Sequence, residues 1–275
     1  MRDPPPDEFG VPIDWSSWYL SDEDDMGEAI EQQKSIAVFK SSIEELARER
    51  SWPALHVGAD TFFAWVEREP FVRVSPDVYL LDDPPPPPMP RMISTWLPGH
   101  RAPRFATEIV SEEWRKDYDD GPQKYAQLGA RELVIFDPDA ASGQSRHPER
   151  VPLQIYRRTL DGAFARVYVG RGPTPSAELG AFLVIAFEAS VPRLRLARDP
   201  GGIQLVPTTH EAREAAEGER ERERQGREAA EGERERERQA REAAEGERER
   251  ERQAREAAEG EIAVLRAELA RLKGG

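Results

Sequence analysis

The segment from Ser75 to Pro138 constrains this chain most, because two short apolar runs and one amphipathic run follow each other with a carboxylate set inside each of the first two. Ser75-Pro76-Asp77-Val78-Tyr79-Leu80-Leu81 and Phe105-Ala106-Thr107-Glu108-Ile109-Val110 read as buried strands, and Lys124 to Phe136 reads as a helix end followed by a strand. A carboxylate facing an interior costs several kcal/mol unless a cation or hydrogen-bond donors compensate it. Asp77 and Glu108 on neighbouring strands therefore call for a compensating partner, and a divalent metal would serve both.

The surrounding pattern mixes helices with strands. Ile30, Ile36, Ala37, Phe39, Ile43, Leu46 and Ala47 recur at helical spacing within Gly27 to Arg50, and Trp52-Pro53 ends that helix. Strands are expected at Ala54 to Val57, Thr61 to Val66, Val72 to Leu81 with a break at Pro76, and Arg104 to Val110. A pentaproline at Pro84 to Pro88 makes a stiff solvated connector. Pro122 to Leu128 reads as a short helix closed by Gly129, and Glu132 to Phe136 as a strand ended by Asp137-Pro138. Leu153 to Arg157 and Ala163 to Val169, joined through Thr159-Leu160-Asp161-Gly162, read as a hairpin. Helices and strands are mixed, so the expected class is α/β or α+β, with a long charged helix at the C-terminus.

That helix is announced by a 14-residue repeat. Arg-Glu-Ala-Ala-Glu-Gly-Glu-Arg-Glu-Arg-Glu-Arg-Gln begins at Arg213, Arg227 and Arg241, and its first seven residues recur from Arg255. Fourteen residues are two heptads. Thr208-Thr209-His210-Glu211 has capping-box spacing, so a continuous helix is expected from Thr209 to Lys273, about 95 Å long. Glu and Arg three apart, as Glu219 with Arg222, support it, while like charges four apart oppose it. The repeats offer only alanines as an apolar stripe. Ile262, Leu265, Leu269 and Leu272, spaced three, four and three apart, make a short zipper suited to self-association or docking, the alternative being a solitary charged helix that ends in an apolar clasp folded onto its own body. The expected organisation is an acidic Pro-rich arm (1–25), a body (26–206) and the long helix (207–275).

Composition sets further bounds. There is no cysteine, which removes disulfides, thiolate zinc sites and thiol nucleophiles. The N-terminal residues lack the apolar core of a signal peptide, and the longest apolar run, Ala181 to Phe187, falls far short of the roughly 20 residues of a membrane span. A soluble, cytoplasmic protein without membrane contact is the expectation. The net charge of −14 would disfavour a nucleic-acid partner if it were uniform. Residues 1–31 carry ten acidic and one basic residue, whereas residues 32–210 carry 23 and 22. The body is near neutral, and Arg91, Arg101, Arg104, Arg115 and Lys116 could form a basic rim around Glu108 or simply be solvated loop charges.

An Asp, a Glu on the next strand and a Lys on the following helix are what metal-assisted phosphodiester hydrolysis uses: carboxylates to hold a hard cation, an ammonium group to steady the transition state. Asp77, Glu108 and Lys124 meet that description, although the strand ends of an ordinary α/β protein carry such residues too. Asp117, Asp119 and Asp120 could add metal contacts, but a solvated acidic loop preceding Pro122 is the favoured reading. His56, His100, His147 and His210 are too dispersed for a zinc or triad pattern, Gly170-Arg171-Gly172 lacks the flanks of a phosphate loop, and Trp15, Trp18 and Trp65 read as packing aromatics.

Four stretches in order carry a family resemblance: Asp24-Asp25-Met26-Gly27-Glu28, Ser75-Pro76-Asp77-Val78, Glu108-Ile109-Val110-Ser111, and Tyr125-Ala126-Gln127-Leu128-Gly129-Ala130-Arg131-Glu132-Leu133 leading to Phe136-Asp137-Pro138. Over about residues 20–200 the chain resembles the Uma-two family of putative restriction endonucleases, a bacterial group of the PD-(D/E)XK nuclease superfamily. The resemblance implies a restriction-endonuclease-like mixed sheet flanked by helices as the fold, DNA as substrate, Mg²⁺ or Mn²⁺ as cofactor, Asp77 and Glu108 as metal ligands and Glu28 as an auxiliary acid. The superfamily pattern places Lys two residues after the Glu, where this chain has Val110. Lys124 is the expected substitute and Lys116 the second choice. The expected activity is metal-dependent endonucleolytic cleavage by a protein that self-associates through its C-terminal helix. The alternative is a nuclease-fold adaptor with weak or no activity, and a third reading makes residues 1–31 an autoinhibitory mimic of nucleic acid.

Overall fold

The computed structural model describes residues 15–19, 30–111 and 113–273, which form two compact units, one reaching Ala212 and the other starting at Arg213. Glu28 lies outside the described residues.

The first unit is built around a six-stranded sheet. Its strands are β1 (Leu55–Gly58), β4 (Val78–Asp82), β6 (Phe105–Ile109), β7 (Glu132–Phe136), β8 (Leu153–Arg158) and β9 (Phe164–Gly170), in that spatial order. Only β6 and β7 run parallel; the other neighbours are antiparallel. Side chains alternate between the two faces, as the pleat requires. Val78, Leu80, Phe105, Ile109, Val134 and Phe136 enter one core, and Tyr79, Leu81, Ala106, Val110, Leu133 and Ile135 enter the other.

The first face is covered by α1 (Ile30–Glu49), whose Ile36, Phe39, Ile43 and Leu46 recur three and four apart and are all buried. A second sheet, β10 (Thr174–Ser176), β11 (Ala181–Glu188) and β12 (Val191–Ala197), completes that layer with Leu183, Leu194 and Leu196. The side chain of Arg193 is 7% exposed and donates to the Glu31 carbonyl (2.7 Å) and the Ser35 hydroxyl (2.6 Å), clamping β12 to α1. The opposite face is covered by α2 (Gly121–Leu128) and a small sheet of β2 (Phe62–Ala64), β3 (Arg73–Val74) and β5 (Met92–Ser94). The run expected as one strand from Val72 to Leu81 is thus two strands in different sheets, separated by Ser75-Pro76-Asp77, where proline cannot donate to a ladder.

Helix α2 ends at Gly129, whose φ of +100° is the left-handed cap that glycine adopts without strain. Asp137-Pro138 ends β7 and also begins α3 (Pro138–Ser142), with Asp137 as N-cap accepting the Ala140 N–H.

The last helix, α4 (Thr209–Lys273), begins with a reciprocal capping box: the Thr208 N–H donates to Glu211 (2.6 Å) and the Glu211 N–H to the Thr208 hydroxyl (3.2 Å). Glu211 also bonds Arg195 at 2.8 Å. Along the repeats the ion pairs between residues three apart are Glu221–Arg224, Glu235–Arg238 and Glu249–Arg252, rather than pairs of the Glu219–Arg222 kind; Arg222 donates instead to the Gly218 carbonyl. Among the described residues no helix is long and apolar enough to cross a membrane.

Candidate active site

Val78 pairs with Thr107 across the antiparallel β4–β6 ladder, so Asp77 and Glu108 are the next residues at the same end of that ladder. Two-residue periodicity puts Asp77 on the face of Tyr79, and Glu108 on the face of Ala106 and Val110. Both carboxylates therefore point toward α2.

Each is held by a specific donor. Asp77, 7% exposed, accepts the Ile109 N–H through Oδ2 at 2.5 Å. Glu108 Oε1 accepts the phenolic O–H of Tyr125, a fully buried residue of α2, also at 2.5 Å. Both contacts are short for hydrogen bonds. Burial pushes the Glu108 carboxyl well above the ordinary carboxylate range, and the Asp117 charge pushes it further; Tyr125, Lys116 and a backbone bond from Asp77 pull it partly back. The Tyr125 phenol is likewise raised, first by burial and then by the charges of Glu108, Asp77 and Asp117. One phenol thus senses three carboxylates.

Asp117 was expected in a solvated loop and is instead 9% exposed. It sits on a widened helical turn, Lys116–Asp120, in which the Gly121 N–H reaches back five residues to the Lys116 carbonyl. Tyr118 anchors that turn. Its hydroxyl lies 2.9 Å from both Asp137 Oδ2 and the Val151 carbonyl and accepts the Val151 N–H at 3.0 Å. With Tyr118 turned toward β7 and β8, the preceding residue faces the Glu108 side. Burial raises the Asp117 carboxyl, Lys116 and Lys124 oppose that rise, and Asp137 adds to it. Asp119 stays exposed.

Lys124 precedes Tyr125 on α2, and its side chain is 16% exposed. Burial lowers its pKa, while Asp120, Glu108 and Asp117 raise it. Its ammonium lies 3.9 Å from Asp120 Oδ2 and 5.7 Å from the ring centre of Trp18. Trp18 ends a short 3-10 turn (Trp15–Trp18) that is followed by Tyr19, which bridges to Val72 and donates to Glu69 at 2.7 Å. Lys116 is exposed and acts on both Glu108 and Asp117. Two of the arginines expected to rim Glu108 are elsewhere: Arg104 precedes β6 at its far end and pairs with Asp82 (3.1 Å), and Arg101 pairs with Asp83 (3.3 Å). Val110, at the superfamily's usual lysine position, is buried in the core beneath α2.

The structure thus brings Asp77, Glu108 and Lys124 to one face and adds Asp117 and Tyr125. Sequence reasoning weighed Asp117 as an added metal contact but favoured a solvated loop, because its burial depends on Tyr118. The one local signal was an aromatic residue inside the acidic Lys-Asp-Tyr-Asp-Asp run. The candidate ligands here are carboxylate oxygens, the donor type suited to a hard cation. Among the described residues, no three His, Asp or Glu side chains are gathered into a ready-made metal cage.

Fold and site together define a mixed α/β domain with an acidic centre at the ends of its central strands. A family model described as "Uma2: Putative restriction endonuclease" matches residues 42–188, just over half of the chain, and the protein belongs to that family. Among solved structures it is similar to a putative nuclease belonging to DUF820 from Anabaena variabilis, with 12% identity over 56% of this chain and 75% of that one and a TM-score of 0.38. No curated protein matches.

Proposed function

We propose that this protein is a metal-dependent DNA endonuclease whose centre is Asp77, Glu108 and Lys124, and that it self-associates through α4. The observation that carries this reading is the shared face and shared ladder end of Asp77 and Glu108, each held by its own short hydrogen bond. Carboxyls raised by burial and by mutual repulsion are what a bound cation would relieve. Mg²⁺ is commonly held by one or two carboxylates plus substrate phosphates, so a full protein cage is not required of such a site.

When bound there by Asp77 and Glu108, Mg²⁺ or Mn²⁺ supplies Lewis-acid chemistry at a phosphodiester and activates water. The chain's own residues do the rest. The Ile109 N–H fixes Asp77, and Tyr125 fixes the Glu108 carboxylate rotamer. Lys124, partly desolvated on α2, presents a positive charge toward developing negative charge on phosphate oxygens. Asp117 adds charge that favours cation binding. Glu28 is retained as an auxiliary acid on family grounds.

A second reading, a nuclease-fold assembly protein with weak or no activity, is favoured by Val110 at the usual lysine position and by Trp18 lying over Lys124. Cleavage of supercoiled plasmid and single-stranded DNA with Mg²⁺ or Mn²⁺ separates the two. Nicking by the intact protein, lost in Asp77→Ala and Glu108→Ala variants of unchanged fold, supports the endonuclease. Absence of nicking with either metal supports the assembly protein.

A further inference from the structure

Continuing the heptad frame of Ile262 (a), Leu265 (d), Leu269 (a) and Leu272 (d) backward through α4 places Arg at every a position from Arg255 to Arg213, and alternating Ala and Glu at d. In this frame the b positions from Glu221 to Glu256 are all Glu, and the e positions alternate Arg and Glu. Each e-position Arg of the repeats is taken up on its own helix by the b-position Glu three residues earlier: Arg224 by Glu221, Arg238 by Glu235 and Arg252 by Glu249, at 2.6–2.9 Å. The following b-position Glu, four residues on, lies within 4.0 Å of each.

The last two heptads break this rule. The b positions become Ala263 and Ala270, so Arg266 at e has no carboxylate three or four residues away in either direction. Glu261 at g is flanked at those distances by Ala257, Ala258, Val264 and Leu265. Among the described residues neither has an ion-pair partner, and between them Ile262 is 49% exposed and Leu265 58%, with Leu269 at 53% further along. An apolar seam edged by unspent opposite charges occurs only where the repeat ends.

We propose that the segment 261–273 is the pairing site for a second copy of this chain, as a two-stranded, parallel, in-register coiled coil. This rests on the self-association reading and specifies its geometry. Ile at a with Leu at d favours two parallel strands. In that arrangement g faces the e position five residues on in the partner helix, so Glu261 meets Arg266 and Glu268 meets Lys273, each an attractive pair. An antiparallel pairing sets g against g and e against e, which here joins Glu261 to Glu268 and Arg266 to Lys273, each repulsive. Parallel pairing cannot extend upstream, because it would stack Arg on Arg at every a position. The zipper is confined to the tip.

The test uses the whole 275-residue chain, which has no cysteine of its own. Sedimentation velocity across a concentration series is expected to show a monomer–dimer equilibrium. Glu261→Arg should weaken it about tenfold or more, ~1.4 kcal/mol, and Glu261→Arg combined with Arg266→Glu should restore it. Under mild oxidation Leu265→Cys is expected to form a covalent homodimer by itself, because d faces d in the parallel form. Crosslinking only when Leu265→Cys is mixed with Leu269→Cys would establish antiparallel strands and overturn the proposal. So would a chain that stays monomeric throughout, or a dimer indifferent to Ile262→Asp. None of these readouts depends on DNA cleavage, so failure here leaves the endonuclease reading intact, and failure there leaves this one.

Discussion

Replacing Asp137 by alanine tests the support on which the acidic centre rests. The Asp137 side chain is fully buried and has three jobs: it receives both arms of Arg150 (2.7 and 2.8 Å), meets the Tyr118 hydroxyl (2.9 Å) and caps α3 through the Ala140 N–H (2.9 Å). Removing one partner of a buried ion pair costs about 3–5 kcal/mol, because the other charge is left without compensation. Loss of an N-cap adds about 1 kcal/mol. Arg150 keeps a second contact, Asp139 at 3.2 Å, which places the first figure at its lower end. The total is about 4 kcal/mol. For a body of this size each kcal/mol shifts the midpoint by roughly 2–4 °C, so the Tm should fall by about 8–16 °C. Near-ultraviolet circular dichroism isolates the body, since all six tryptophans precede α4 and Trp114 packs 5.1 Å from Tyr118. Asp137→Asn, which keeps the cap acceptor but still strands the Arg150 charge, should recover only the capping contribution of about 1 kcal/mol. The double variant Asp137→Leu/Arg150→Met should be more stable than either single alanine variant, because it leaves no stranded charge. A fall below about 3 °C for Asp137→Ala would refute the argument that this cluster anchors the Lys116–Asp120 turn.

Three further outcomes are expected. Tyr125→Phe should leave the fold intact and weaken Mn²⁺ binding by about 10–100-fold by isothermal calorimetry, the usual effect of losing a group that orients a metal-binding side chain; unchanged affinity would remove Tyr125 from that role. Lys124→Ala should reduce plasmid nicking by about 100-fold or more while Mn²⁺ affinity stays within about threefold, and a retained rate would take Lys124 out of the chemistry. At the start of α4, burial pushes the Glu211 carboxyl up, but the Thr208 N–H and Arg195 together hold it below its ordinary 4.5. The stabilisation from Glu211 is therefore present above that value and lost as pH falls through the lowered one. Thr208→Ala should cost about 1 kcal/mol at neutral pH, and a Glu211→Gln variant should show less loss of stability on acidification than the parent; identical acid profiles would contradict this.

Sequence legibility followed locality. Strand β7 was readable from end to end, since Glu132 to Phe136 is a short apolar run between Arg131 and Asp137-Pro138. The capping box at Thr208 and the glycine stop at Gly129 were readable for the same reason: each is completed within a few residues. The second sheet was not. In β12 the pattern Arg193-Leu194-Arg195-Leu196 resembles a half-exposed strand with arginines in water, yet both arginines are buried. Their partners are Glu31 for Arg193 and Glu188 and Glu211 for Arg195. Two of those three carboxylates lie on α1 and α4, so the strand becomes interpretable only once those helices are in place.

The acidic centre shows the same division more sharply. Asp77 and Glu108 could be paired from sequence because antiparallel strands convert spacing into adjacency, and both runs were apolar enough to be recognised as strands. Asp117 depends on three non-local facts. The turn must widen so that Gly121 reaches Lys116, Tyr118 must find Asp137 and Val151 just beyond the ends of two strands, and Arg150 must neutralise Asp137 so that a second carboxylate can be tolerated nearby. Without Arg150, Asp137 and Asp117 would repel across a low-dielectric space, and the acidic run would be better solvated outside, as its composition alone suggests. The buried ion pair behind the site is therefore what allows a third carboxylate to approach Glu108. That makes Arg150 a determinant of the electrostatics at the centre although it lies outside it.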